Sequence, residues 1–212
     1  PFRERKASLY EGGIREPGLF EWPAQVNPGT VVATPCTTLD YLPTIARILG
    51  LELPDRPYDG IDILPILTGK QQMRSKPIAF LFRDAIALSG DRYKLIAAKQ
   101  TKGKRAGGAV EFKGRAFELF DLRNDPGEMT DIAGEHPELV APMKRVLRSW
   151  VDSVEQSRLG KDYESAVSPS PASSTSEKRV HLFLCSGQSN MKNLDLSVSF
   201  TPTLKQAFPG DE

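Results

Sequence analysis

Residues 6–17 read KASLYEGGIREP, and the rest of the chain is understood by working outward from this stretch. It sets a lysine, an aromatic ring, a carboxylate, two glycines, an arginine and a proline within one short segment. Gly12 and Gly13 accept backbone angles closed to other residues, and they let a neighbouring chain or ligand come close. Arg15 carries a rigid guanidinium fork suited to a carboxylate, and Glu11 is near enough in sequence to be its partner. Lys6 is a compact point charge suited to a tetrahedral oxyanion such as sulfate or phosphate. Physics alone favours a plainer reading, a Gly-Gly turn flanked by solvated charges.

Continued through Gly18-Leu19-Phe20-Glu21-Trp22-Pro23, the string resembles the region that opens the C-terminal part of type I sulfatases. Arylsulfatase A and N-acetylgalactosamine-6-sulfatase are members it resembles. The resemblance implies the α/β, alkaline-phosphatase-like fold of the sulfatase superfamily. These residues would form mainly its C-terminal α+β subdomain, a small antiparallel sheet packed against a helix. It also implies that Lys6 reaches the substrate sulfate, as a catalytic and substrate-binding residue. The Glu-Gly-Gly-x-Arg turn, with Arg15 as a substrate-binding residue, would shape the rim of the pocket.

Pro1 opens the chain with no charged-then-apolar signal segment ahead of the motif, which puts an active-site element at the edge of the molecule. The expectation is a fragment of a longer protein. With 212 residues, 39% hydrophobic and 26% charged, the chain can bury one good core and part of another. A formal net charge of +1 points to no polyanion-coating role, and no apolar run is long enough to span a bilayer. Cys36 and Cys185 fall in segments assigned to different domains, so no bridge between them is expected.

Downstream, Leu39, Leu42, Ile45, Ala46 and Leu49 recur at helical spacing, and Gly50 supplies the stop. Pro43 fits if the helix starts near Asp40. Cys36 reads as a small buried apolar residue. Residues 53–69 read as a structured loop in which Asp59, before Gly60, caps a turn; a metal or substrate ligand is the alternative. Two of these segments, Thr38-Leu39-Asp40-Tyr41-Leu42-Pro43-Thr44 and Asp59-Gly60-Ile61-Asp62-Ile63-Leu64-Pro65, again resemble sulfatase wording.

Strands are predicted at Pro77–Phe82, Ala85–Leu88, Tyr93–Ala98 and Phe117–Leu122, with a hairpin signal at Ser89-Gly90-Asp91-Arg92. They make a small antiparallel sheet with one polar face. Glu118-Leu119-Phe120-Asp121-Leu122-Arg123-Asn124-Asp125-Pro126-Gly127-Glu128 is similar to a segment near the end of many sulfatases. Lys99 to Arg115 is a basic, glycine-rich loop. It lacks interleaved aromatics for base stacking, which argues against nucleic acid; a solvated, mobile loop is the leading reading and a sulfated polysaccharide partner the alternative. From Pro137 an apolar stripe from Leu139 to Val154 predicts a helix over the sheet, with a break at Pro142 and His136 at its cap.

Residues 165–179 open with Ser-Ala-Val-Ser-Pro-Ser-Pro-Ala-Ser-Ser-Thr-Ser, a linker composition that closes a 1–164 domain. Residues 180–212 begin a second domain. There the strand Val180–Cys185 runs into Ser186-Gly187-Gln188-Ser189-Asn190-Met191, a glycine turn that would expose Ser189. A polar turn explains the same residues. The string VHLFLCSGQSNM resembles the opening of sialate O-acetylesterase-like SGNH esterases, which implies that Ser189 is a catalytic nucleophile. The histidine and aspartate of that family would lie beyond Glu212.

Together the resemblances imply a sulfuric ester hydrolase acting on sulfated carbohydrate or aryl sulfate, periplasmic or secreted. Its formylglycine nucleophile and calcium ligands would lie upstream of Pro1, so no metal ligand is assigned within this chain. The 212 residues alone are expected to be inactive. Three alternatives stand beside this reading: a phosphatase or phosphodiesterase of the same superfamily, a carbohydrate O-acetylesterase acting through Ser189, and a glycan-binding module using the basic loop.

Overall fold

A computed structural model of the chain describes residues 1–97, 112 and 114–163. Four strands carry the fold: β1 (Ile78–Phe82), β2 (Ala85–Ser89), β3 (Tyr93–Ala97) and β4 (Glu118–Asp121). They pair antiparallel in chain order, with Ile78 opposite Ser89, Leu88 opposite Leu95 and Lys94 opposite Phe120. Each lies within one residue of its predicted bounds, because alternating Ile, Leu, Ala and Phe side chains fit a pleated, buried surface. The SGDR hairpin closes with the Gly90 N–H donating to the Tyr93 carbonyl at 2.9 Å.

One sheet face is covered by α4 (Pro137–Arg158), whose Leu147 and Val151 pack with Ile86, Leu88, Ala97 and Phe112. The helix runs unbroken through Pro142, against the predicted break. That proline sits near the helix start and forgoes the bond its missing N–H would make to the Glu138 carbonyl, at a cost of about 3 kcal/mol. The apolar stripe of Met143, Leu147, Trp150 and Val151, anchored on the sheet, keeps the helix continuous.

The opposite face was expected to be polar and is not. Ala87, Ile96 and Phe120 there pack against Leu9 and Tyr10, so the KASLYEGGIREP segment itself covers it. Lys94, which period-2 alternation also places on that face, is fully buried instead of solvated.

The remaining elements form a third cluster, in which Ile61, Ile63 and Ile66 pack with Val32 and Leu67. A 3-10 turn at Thr38–Asp40 leads into α2 (Tyr41–Leu49), which ends at Gly50 in the left-handed region, φ 66°. Within the predicted loop, α3 (Leu64–Leu67) makes one helical turn with a proline in its first turn.

These pieces are held by Asp40 and Arg74. The Arg74 fork donates to both carboxylate oxygens at 2.7 and 2.9 Å, and the Ile61 and Thr37 N–H groups donate to the same carboxylate. Thr44 adds its hydroxyl, donating to the Asp40 carbonyl and accepting from the Ile63 N–H. Both sulfatase-like segments in this region thus meet in one hydrogen-bonded network. Gly60 is required there, because a Cβ would collide with the Leu39 carbonyl.

Three smaller expectations change. Cys36 is exposed rather than buried. Asp59 accepts from the Trp150 indole N–H at 2.9 Å, tying its loop to α4 rather than capping a turn. His136 does occupy the N-cap position of α4, but its ring pairs with Glu138 instead of capping the backbone. The Ser/Pro-rich linker, the strand leading to Ser189, Ser189 itself and residues 99–111 of the basic loop lie outside the described residues. Among the described residues, no helix is long and apolar enough to cross a membrane.

Candidate active site

The site is built on α1 (Glu11–Ile14), a single helical turn made from the EGGI of the motif. Its glycines serve close approach, not unusual dihedrals. A Cβ on Gly12 would strike the carbonyl oxygens of Arg3 and Glu4, and one on Gly13 would strike that of Ser8. The Gly12 N–H donates to the Arg3 carbonyl at 2.9 Å. Residues 3–8 are therefore pressed directly onto α1. Within that turn Glu4 and Ala7 both occupy the left-handed region, at φ 62° and 76°. A non-glycine residue is held there only when its surroundings over-determine it.

Lys6 stands between these two positions. It is exposed, and among the described residues its ammonium makes no hydrogen bond or ion pair. Arg15 is half-exposed, 3.5 Å from Glu11, with its guanidinium carbon 4.9 Å from the Phe2 ring centroid. The pairing of Arg15 with Glu11 read from the sequence is present, but it is the weaker of that carboxylate's two ion pairs.

The stronger pair is buried. Lys94 Nζ lies 2.9 Å from Glu11 Oε1 and 2.8 Å from Glu128 Oε1, and the Glu11 N–H donates to Glu128 Oε2 at 2.5 Å. The Lys94 and Glu128 side chains are fully buried, and that of Glu11 nearly so. One ammonium thus faces two carboxylates away from water. Burial pushes the Glu128 carboxyl up, and Glu11 adds to it, against the lowering pull of Lys94 and the Glu11 N–H. Glu128 also sits in the left-handed region, φ 54°, at the end of the Asp-Pro-Gly-Glu turn.

A second contact joins the same parts. The Tyr10 hydroxyl donates to Glu118, while Arg3 lies over the Tyr10 ring at 4.0 Å and donates to the Glu128 carbonyl at 3.1 Å. Burial, then the Glu118 carboxylate, pushes the Tyr10 hydroxyl above its ordinary range, so it remains a donor at all working pH.

Sequence reasoning anticipated the Arg15–Glu11 pair but not the buried partners Lys94 and Glu128. Part of the signal was present. Lys94 is the one charged residue in the apolar strand Tyr93–Ala97, whereas Glu128, just after a Pro-Gly turn, looks like an ordinary solvated residue. Among the described residues, no three His, Cys, Asp or Glu side chains converge on a point that could hold a metal ion.

Residues 4–153 match the family model described as N-sulphoglucosamine sulphohydrolase, C-terminal. The chain belongs to this sulfatase family. A sulfatase of Formosa agariphila is 30% identical over 162 residues, covering 71% of the chain and 29% of that protein. Human arylsulfatase A is 32% identical over 169 residues, covering 70% and 33%. Mouse steryl-sulfatase is 44% identical over a shorter span of 85 residues, covering 40% and 14%.

Among solved structures, the PsFucS1 sulfatase from a Pseudoalteromonas species aligns with TM-score 0.54 and 25% identity, over 79% of the chain and 34% of its own. A protein from the metabolism of multiple glycosaminoglycans by Bacteroides thetaiotaomicron aligns with TM-score 0.53 and 26% identity, over 71% and 32%. The chain therefore spans about a third or less of the length of these relatives. Its four-stranded antiparallel sheet with α4 is the C-terminal subdomain of the alkaline-phosphatase-like sulfatase fold.

Proposed function

We propose that this chain is the C-terminal portion of an enzyme that hydrolyses sulfate monoesters of glycans or aryl groups, and that Lys6 binds the sulfate. The observation that carries the reading is a lysine without a partner among the described residues, raised between two strained backbone positions on a turn clamped by Gly12 and Gly13. The backbone beneath this lysine is held in place, and its ammonium has no partner among the described residues to give up when an anion arrives.

In this reading the Lys6 ammonium binds a nonbridging sulfate oxygen. As the bond from sulfur to the leaving oxygen breaks, charge redistributes over the sulfate and the leaving group, and the ammonium bound to the sulfate offsets it. Such preorganised charge contributes roughly 3 to 4 kcal/mol in a water-poor site. Arg15, whose pairing with Glu11 is loose, is placed on the rim, where its fork addresses a further acidic group on the substrate. The formylglycine nucleophile and the calcium ion implied by the sulfatase resemblance are assigned to parts of the protein outside these residues. A periplasmic or secreted location follows from the same resemblance.

A sulfated glycan is favoured over a simple aryl sulfate, because the Bacteroides relative belongs to glycosaminoglycan metabolism. The reading is tested by assaying the full-length protein for inorganic sulfate release from sulfated glycan fragments and from an aryl sulfate. Sulfate release from at least one, without phosphate release from the matching phosphate monoester, supports it. Phosphate release alone favours the phosphatase alternative. The esterase reading of Ser189 rests on the VHLFLCSGQSNM wording. It requires Ser189→Ala to abolish deacetylation and leave sulfate release unchanged.

A further inference from the structure

Lys6 owes its place to a chain of contacts that ends far from it in sequence. Residues 3–8 rest on Gly12 and Gly13 of α1, and α1 is a single turn with no side-chain cap, too short to hold itself. Leu9 and Tyr10 lay the segment on the sheet by apolar contacts that set its depth, and the Tyr10 hydroxyl and Arg3 add part-buried bonds to Glu118 and the Glu128 carbonyl. The buried anchor of α1 itself is Glu11. Its carboxylate meets Lys94 of β3 at 2.9 Å, and its backbone N–H meets Glu128 at 2.5 Å. Both anchoring groups are rigidly placed: Lys94 lies mid-strand opposite Phe120, and Glu128 closes a turn tied by its own N–H to Asp125.

The triad is also an uneconomical way simply to stabilise a fold. One ammonium and two carboxylates leave a net negative charge in a dry site, whereas an apolar trio of similar volume is often as stable or more so. Directional ionic contacts add geometric specificity, fixing one arrangement of groups where apolar packing would allow several.

We propose that Lys94 and Glu128 are positioning residues for Lys6: the buried Lys94–Glu11–Glu128 triad sets where α1 sits, and through Gly12 and Gly13 sets where the Lys6 ammonium meets its anion. The proposal rests on the sulfatase reading of Lys6. A displacement of about an ångström at a charge-stabilising group can cost on the order of a hundredfold in rate, so loosening the triad should slow sulfate release without touching substrate.

The test is a double-mutant cycle in the full-length protein, reading kcat/KM for sulfate release on the best substrate. Lys94→Met keeps the buried stem and removes the charge. It should lower kcat/KM by about 10- to 100-fold in the native background. In a Lys6→Ala background it should lower it less than about twofold, because the group being positioned is gone. Amide exchange at residues 3–13 should quicken in Lys94→Met while exchange in the strands holds.

If Lys94→Met does not fold, Glu128→Gln replaces it. That change leaves Lys94 and Glu11 as a balanced pair with an acceptor still facing the Glu11 N–H, and the same non-additivity is expected with a smaller loss. Equal losses in both backgrounds overturn the positioning role and leave the sulfatase reading intact. If Lys6→Ala alone has no effect on sulfate release, the assignment of Lys6 falls and the positioning role falls with it.

Discussion

Two buried charge clusters divide the work of this domain, and they are built differently. Asp40 and Arg74 are matched one to one, with every carboxylate oxygen bonded and the guanidinium also donating to the Lys76 and Pro35 carbonyls. Lys94 is outnumbered by Glu11 and Glu128, and Glu128 takes a left-handed backbone to reach it. The first cluster joins α2, the Asp-Gly-Ile-Asp-Ile loop and the approach to β1. The second lies under the turn that carries Lys6. A matched, saturated pair suits a scaffold, whereas an unmatched one beside a strained turn marks where placement matters more than stability.

The largest effect should come from breaking the matched pair. Arg74→Met strands the Asp40 carboxylate in a dry site, and about 3–5 kcal/mol of stability should be lost, measured by denaturant unfolding. A loss below about 1 kcal/mol would mean that the pair is not closed off from water. The pH dependence sharpens the point. Burial pushes the Asp40 carboxyl up, but Arg74 and the Ile61 and Thr37 N–H groups outweigh it and hold it below its ordinary 3.8. Its contribution is present above that value and disappears as pH falls through the lowered one.

Next in size is the close approach under Lys6. Gly12→Ala and Gly13→Ala place a methyl against the carbonyls of Glu4 and Ser8, costing about 1–3 kcal/mol and displacing the turn. Unchanged stability together with unchanged sulfate release would show that residues 3–8 do not depend on that contact.

Glu128→Gln should give the reverse pH signature to Asp40. Because burial raises the Glu128 carboxyl above its ordinary 4.5, the folded protein holds that proton more readily than the unfolded chain. The stability it contributes is full below 4.5 and declines as pH rises through the raised value. Unfolding curves of native and Glu128→Gln protein should therefore diverge in favour of the variant as pH rises through that window. Parallel curves would show that Glu128 titrates alike in the folded and the unfolded chain.

The smallest effect belongs to the outer pair. Arg92 holds Asp121 down to about 2 by direct hydrogen bonding, yet Arg92 is well exposed. Screening leaves such a pair little net worth, and Arg92→Ala should barely move the denaturation midpoint near neutral pH. A shift rivalling that of Arg74→Met would erase the distinction between inner and outer pairs.

Most of the framework is legible in the residues. β1 to β4 follow from their short apolar runs and the Ser-Gly-Asp-Arg hairpin signal, α2 from its spacing and the Gly50 stop, and the covering helix from its stripe. What is not legible are the distant partners. Asp40 carries no mark that Arg74, 34 residues on, will clasp it. Lys94 looks like a solvated residue on a polar face until the motif segment folds over it. Pro142 misleads because tertiary packing outweighs one missing hydrogen bond. Within the site, Lys6, Glu11 and Arg15 come from the motif, whereas Lys94 and Glu128 emerge only once the sheet places them beneath it.

The measurement that bears most directly on the account is kcat/KM for sulfate release by the full-length protein, native against Lys6→Ala. The account predicts a fall of about 100- to 1,000-fold, the loss expected when one preorganised charge-stabilising group is removed. Equal rates for the two proteins would contradict it, leaving the clamped turn and its buried triad as structure without a role at the sulfate.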